Sequence, residues 1–150
     1  MPATLRVSER HPDSRRTAIV VDEGDSVWLY LTEASGEGVT ADCWLMNRIP
    51  APRYADLAER EGAERYRGEG LPPPAIAEVV TEGAFRSTPL EAVRWRFTWA
   101  ANGESVAAFY EAELVGFIAR GEPRGFSRFL RVASPWGEPL DLERYLAVFG

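Results

Sequence analysis

The sequence predicts an α+β domain in which antiparallel β meanders, folded as one strongly curved sheet or two packed sheets, take a short C-terminal helix against an apolar face. Three observations carry this. Apolar residues alternate with polar ones on either side of Asn102-Gly103. A second group of strand-like runs fills the N-terminal half between turn-rich segments. Near the C-terminus, Leu142, Tyr145, Leu146 and Phe149 recur at helical spacing.

Residues 1–16 are polar and are expected to be loosely held. Thr17 to Val21, Ser26 to Thr32 and Thr40 to Met46 then read as strands, separated by turns around Gly24 and Ser35-Gly36-Glu37-Gly38. They carry Trp28, Tyr30 and Trp44. From Pro50 to Pro74 the chain becomes proline-rich and charged, with Tyr54, Leu57 and Ala58 making a short amphipathic helix before Gly62 and Pro72-Pro73-Pro74 favouring an extended segment. This stretch reads as a surface excursion within a single domain spanning 1–150, because each half alone would have few strands and little core.

Val93, Trp95, Phe97 and Trp99 alternate with Arg94, Arg96, Thr98 and Ala100, the period of a strand with one buried face. Asn102-Gly103 suits a type I′ turn, which needs positive φ at both central residues. The register follows: Trp99 opposes Val106, Phe97 opposes Ala108, Trp95 opposes Tyr110, and Arg94 meets Glu111 as an opposite-charge pair. A reversal near Ala112-Glu113 returns the chain from Leu114 to Arg120, with Val115, Phe117 and Ala119 expected on the tryptophan face. A fourth strand is expected from Phe126 to Val132.

The C-terminal stripe of Leu142, Tyr145, Leu146 and Phe149 predicts a helix of about two turns laid on the sheet. Asp141 is a good N-cap, and Leu140 before it can meet Tyr145 as a hydrophobic staple.

The 150 residues, 45 % hydrophobic and 11 % aromatic, suffice for one sizeable core. No apolar run approaches the roughly 18 residues of a membrane span and no secretory signal is recognisable, so the expected compartment is the cytoplasm. A net charge of −6 argues against a general nucleic-acid binder. Charge is unevenly spread: Asp22, Glu23, Asp25, Glu33, Glu37 and Asp42 share a stretch without arginine, whereas Arg120, Arg124, Arg128 and Arg131 face only Glu122 in theirs.

All 17 basic residues are arginine. Without lysine there is no Schiff-base attachment of pyridoxal phosphate, no class I aldolase chemistry and no P-loop lysine on a phosphate. His11 is the single imidazole and precedes Pro12 in the polar N-terminal segment, a poor basis for a serine triad or a histidine metal site. Cys43 lies in the apolar run Cys43-Trp44-Leu45-Met46 and reads as a buried small hydrophobe. Asp22, Glu23 and Asp25 around Gly24 lack EF-hand spacing and read as a solvated hairpin tip. Gly36-Glu37-Gly38 is too short for a dinucleotide fingerprint. No metal and no cofactor are expected.

Three features keep a ligand in play. Asp42 lies within an apolar strand with Asn47-Arg48 at its end, and a buried carboxylate needs a partner such as arginine. Arg124, Arg128 and Arg131 could hold an anion. Trp136, in the loop Ser134-Pro135-Trp136-Gly137-Glu138-Pro139, either caps the core or lines a surface pocket.

Phe117-Ile118, Gly125-Phe126-Ser127-Arg128 and Ser134-Pro135-Trp136-Gly137-Glu138-Pro139, following Gly103-Glu104-Ser105-Val106, resemble a pattern of small bacterial single-domain proteins to which no activity is assigned. Cys43-Trp44-Leu45-Met46-Asn47-Arg48-Ile49-Pro50 belongs to the same pattern. The resemblance implies a bacterial single-domain protein and carries over no catalytic residue.

Three functions are expected in order. The first is a non-catalytic binding protein, immunity-like or regulatory, that engages a basic protein partner through Asp22, Glu23, Asp25, Glu33 and Glu37. The second is a domain that binds a small anionic ligand with Asp42, Arg48, Arg124, Arg128 and Arg131 beside Trp136. A carboxylate-based enzyme comes third. No membrane partner is expected.

Overall fold

Two sheets carry the fold in the computed structural model, which describes residues 6–58, 64, 66–68 and 70–150. The first has four strands in chain order: β1 (Arg6–Arg10), β2 (Thr17–Asp22), β3 (Ser26–Thr32) and β4 (Val39–Asn47). The second has five: β5 (Trp95–Trp99), β6 (Val106–Tyr110), β7 (Glu113–Ile118), β8 (Phe126–Ser127) and β9 (Glu138–Pro139). All neighbours are antiparallel except β8 and β9. A short helix α1 (Tyr54–Ala58) lies between the sheets in sequence, and α2 (Leu142–Phe149) ends the chain. No helix among the described residues is long and apolar enough to cross a membrane.

The two sheets face each other over one core. Alternation aims Ala18, Val20, Leu29, Leu31, Cys43 and Leu45 inward from the first sheet, where they join Val106, Ala108, Val115 and Ile118 of the second in a single buried cluster. The sheets approach closely at Gly116 of β7. A Cβ there would stand 2.7 Å from Leu45 Cδ2 and 2.9 Å from Cys43 Sγ, so only glycine lets β4 and β7 pack this tightly.

Both margins of the sandwich are tied. Along β4, the Asp42 N–H donates to the Pro123 carbonyl at 3.1 Å and the Gly125 N–H donates to the Asp42 carbonyl at 2.8 Å. Further along, the Asn47 N–H donates to Ala84 O at 2.7 Å and the Arg86 N–H to Asn47 O at 3.0 Å. These bonds leave little of the β4 edge free to pair with another chain. At the opposite margin the indole N–H of Trp99 donates to Glu9 Oε2 at 2.7 Å, and the His11 ring meets Trp99 edge-on at 5.1 Å.

The N-terminal segment therefore differs from expectation. From Arg6 onward it is strand β1, paired with β2 from Arg6↔Val21 to Arg10↔Thr17. His11 is fixed in a turn: its Nδ1 accepts the Asp13 and Ser14 N–H groups at 3.2 and 3.1 Å. Residues 1–5 of the stretch expected to be loosely held lie outside the described residues.

In the β5–β6 hairpin the predicted register holds, with Trp95↔Tyr110, Phe97↔Ala108 and Trp99↔Val106 paired. The turn does not. Asn102 keeps negative φ while Gly103 has φ +67, and the Gly103 N–H donates to Ala100 O, a four-residue reversal in place of type I′. Asn102 acts through its side chain, whose Oδ1 accepts the Glu104 and Ser105 N–H groups at 2.7 and 3.1 Å. Glu111 receives the Arg94 backbone N–H, not its guanidinium.

A bulge in β7 reverses part of the predicted facing. Ala108 pairs with Gly116 but Phe109 pairs with Leu114, which leaves Val115 as the extra residue. Val115 keeps the tryptophan side, whereas Phe117 and Ala119 move to the other face and join Ala107, Leu114 and Phe126 in a second cluster. That cluster is the seat of α2. Asp141 caps the helix as predicted, accepting the Arg144 N–H at 3.1 Å. The buried stripe is rotated from the prediction: Tyr145, Val148 and Phe149 pack inward, while Leu142 and Leu146 are 58 % and 63 % exposed. The strand expected over Phe126 to Val132 is only Phe126–Ser127, after which Leu130 bridges to Val80.

The Pro-rich excursion packs back onto the first sheet. Asn47, fully buried, accepts the Trp44 indole N–H and the Ala75 N–H through Oδ1 and donates to the Ala75 carbonyl through Nδ2, at 2.9–3.0 Å.

Candidate functional site

The acidic residues of the first sheet do not form one surface. Asp22 ends β2, Glu23 and Asp25 occupy the β2–β3 turn, and Glu33 and Glu37 the β3–β4 turn. Strand β3, seven residues long, puts these turns roughly 20 Å apart. Several are engaged within the molecule. Asp22 Oδ1 accepts the Gly24 N–H at 2.9 Å and its Oδ2 lies 3.5 Å from Arg48 Nε. Asp25 accepts the Tyr66 hydroxyl at 2.7 Å. Burial raises the Glu23 carboxyl above its ordinary range, with Arg6 opposing and Asp22 reinforcing.

The second predicted set is scattered too. Asp42 and Arg124 are neighbours across a backbone bridge, and burial raises the Asp42 carboxyl against the pull of Arg124. Arg124 donates to Ser134 O at 2.8 Å. Arg128 donates to Leu114 O and lies 3.8 Å from Glu113, and Arg131 donates to Glu78 O. Arg48 is bound to Asp22 and to Arg86 O. The arginines thus serve separate carbonyls and do not converge beside Trp136. Trp136 meets both of its readings: it packs against the main core, and it lines an apolar groove of about 340 Å³ with Tyr54, Ile76 and Val79. Its indole N–H is held by Pro73 O at 3.0 Å.

Cys43 is fully buried, its Sγ 3.3 Å from the Phe126 carbonyl, and burial pushes its thiol far above the ordinary range. Thiolate chemistry is closed to it at neutral pH. Burial, with Glu23 and Asp42 nearby, likewise raises the Tyr30 phenol. Among the described residues no group of three or more His, Cys, Asp or Glu side chains gathers to hold a metal.

A concave, charged site lies elsewhere, at the end of the sandwich where the β5–β6 hairpin meets the first sheet. The cleft has a volume of about 340 Å³, within the range of small-ligand sites. Arg16, Leu31, Thr40 and Ala41 form the wall from the first sheet; Glu104 and residues 118–123 form the other. At its mouth Glu104 stands between two arginines. Its Oε1 is 3.4 Å from Arg16 Nη2 and its Oε2 is 3.2 Å from Arg120 Nε. Each arginine is anchored: Arg16 donates from Nη1 to Thr32 O at 3.1 Å, and the Arg120 backbone N–H donates to the buried Ser105 hydroxyl at 2.9 Å. Glu122 on the rim is paired with Arg144 at 2.7 Å. Two guanidiniums face one carboxylate at the cleft, which buried Leu31, Ala41, Ile118 and Ala119 also line. This arrangement can hold a small anionic group.

Sequence reasoning missed Arg16, Glu104 and Arg120 as a site. Val106 pairs with Ile118, a register that continued two residues sets Glu104 across from Arg120, but it is shifted by the Val115 bulge, which the sequence does not announce. Arg16 is brought there by a long-range contact.

Comparison with family models, curated proteins and solved structures gives no match.

Proposed function

We propose that this chain is a non-catalytic binding domain for a small anionic molecule, held in the cleft between Arg16 and Arg120. The observation that supports the reading is the pair of guanidiniums that converge at a cleft of small-ligand size. Arginine binds carboxylates and phosphates through directed, charge-assisted N–H donors. The residues here hold rather than transform: arginine, glutamate, threonine and aliphatic side chains supply no strong nucleophile. A protein partner drawn to the acidic turns ranks second, because those turns lie at opposite ends of β3 and Asp22 and Asp25 already have internal partners.

Calorimetric titration with butyrate and with inorganic phosphate tests the reading. Saturable binding is expected for at least one of them, with Arg120→Ala weakening it about tenfold or more, the order of one charged hydrogen bond. Absence of saturable binding by either probe, or binding indifferent to Arg120→Ala, would overturn it.

A further inference from the structure

We infer that Glu104 is a built-in competitor for the cleft, and that the ligand is a small monocarboxylate whose carboxylate takes the place of the Glu104 side chain between Arg16 and Arg120. This rests on the cleft being a ligand site.

The geometry of Glu104 is that of a bound carboxylate. One guanidinium addresses each oxygen, Arg16 at 3.4 Å on Oε1 and Arg120 at 3.2 Å on Oε2. Both distances exceed the roughly 2.7–2.9 Å of a well-made charge-assisted bond, so an untethered carboxylate can fit the two donors better. Exchange needs only side-chain motion. The Glu104 backbone is fixed by Asn102 Oδ1, and Arg16 by Thr32 O, while the Arg120 side chain is 66 % exposed and free to follow an incoming anion. Displaced, the Glu104 side chain can turn to solvent from the hairpin tip.

Charge and shape select the ligand class. With Glu104 withdrawn, two guanidiniums face the space it left, and one monoanion restores the charge balance of the mouth. Glu122 on the same rim, though paired with Arg144, disfavours a polyanion. The cleft of about 340 Å³ has room for a small body only, and Leu31, Ala41, Ile118 and Ala119 in its lining are buried and add little apolar contact.

The test compares wild type with Glu104→Gln and Glu104→Ala, titrated with butyrate, acetate, butanamide and inorganic phosphate at constant ionic strength. Glu104 is half-buried in the β5–β6 loop, and melting curves of both variants establish that the fold is kept. Removing an internal competitor returns the fraction of open sites it had occupied, so both variants should bind butyrate about tenfold more tightly than wild type. Butyrate and acetate should both exceed phosphate, and butanamide should not bind. If wild type binds butyrate in an Arg120-dependent manner but neither variant gains affinity, Glu104 is part of the site and the inference fails with the cleft reading intact. If phosphate is preferred over butyrate, the ligand class is wrong. If neither wild type nor the variants bind any probe, the cleft reading itself fails, and the inference with it.

Discussion

Gly125 and Cys43 meet where the β7–β8 connection crosses β4: a Cβ on Gly125 would stand 2.5 Å from Cys43 Cβ and 2.7 Å from the Phe117 carbonyl. The space is closed by backbone on one side and a fully buried side chain on the other, so neither can yield. The same glycine donates its N–H to Asp42 O, which joins the two sheets. Gly125→Ala should therefore cost about 2 kcal/mol by overpacking, read as a lowered midpoint in chemical denaturation. A change within about 0.5 kcal/mol would mean that the sheets are not packed this closely.

Asn47 satisfies three buried polar groups at once, the Trp44 indole N–H and both backbone groups of Ala75. Asn47→Ala leaves all three without partners and should destabilise by about 3 kcal/mol. Because Ala75 directly follows the Pro-rich excursion, the variant should also become more sensitive to limited proteolysis between Pro50 and Pro74. Unaltered stability would show that the excursion does not depend on this residue.

Asp42 yields a pH dependence whose sign can be worked out. Burial raises its carboxyl above the ordinary value of 3.8 despite Arg124, so the folded chain holds this proton more tightly than the unfolded chain. Its contribution to stability therefore falls as pH rises from 3.8 through the higher folded value. Asp42→Asn should raise the Tm at neutral pH by about 2 °C, with the gain shrinking as the pH is lowered to the ordinary carboxylate range. A variant less stable than wild type at neutral pH would mean that the attraction to Arg124 outweighs desolvation.

The C-terminal helix gives a contrast within one element. Tyr145 and Phe149 stack on each other at 4.8 Å and meet Phe117 edge-on at 5.6 and 5.7 Å. Either residue changed to Ala should cost about 2 kcal/mol, less than a fully buried aromatic. Leu142→Ser and Leu146→Ser, on the exposed side, should change stability by no more than about 0.5 kcal/mol. The reverse ranking in thermal melts would restore the stripe expected from helical spacing.

Period-two alternation made the β5–β6 register legible, since one slip would turn Trp95, Phe97 and Trp99 out of the core. The turn type was not legible, because Asn102 serves equally well through its side chain as through positive φ. The facing of Phe117 was hidden by the bulge: Leu114-Val115-Gly116-Phe117-Ile118 is apolar throughout, so no polar residue marks where alternation breaks. The late arginines show a different limit. Arg124, Arg128 and Arg131 are near in sequence, yet the turns between them send each to a different carbonyl, at Ser134, Leu114 and Glu78. Arg16 reaches the cleft because Glu9 and His11 bind Trp99 across the sheets, a contact with no local periodicity to announce it.

The claim that the inter-sheet cleft is the ligand site is tested most directly by amide NMR of the labelled protein during titration with butyrate. Saturable shifts are expected at Arg16, Ala41, Glu104 and residues 118–120, the walls of the cleft, with little movement elsewhere. Shifts confined to Val79 and Trp136, or no saturable shift in the cleft, would contradict it.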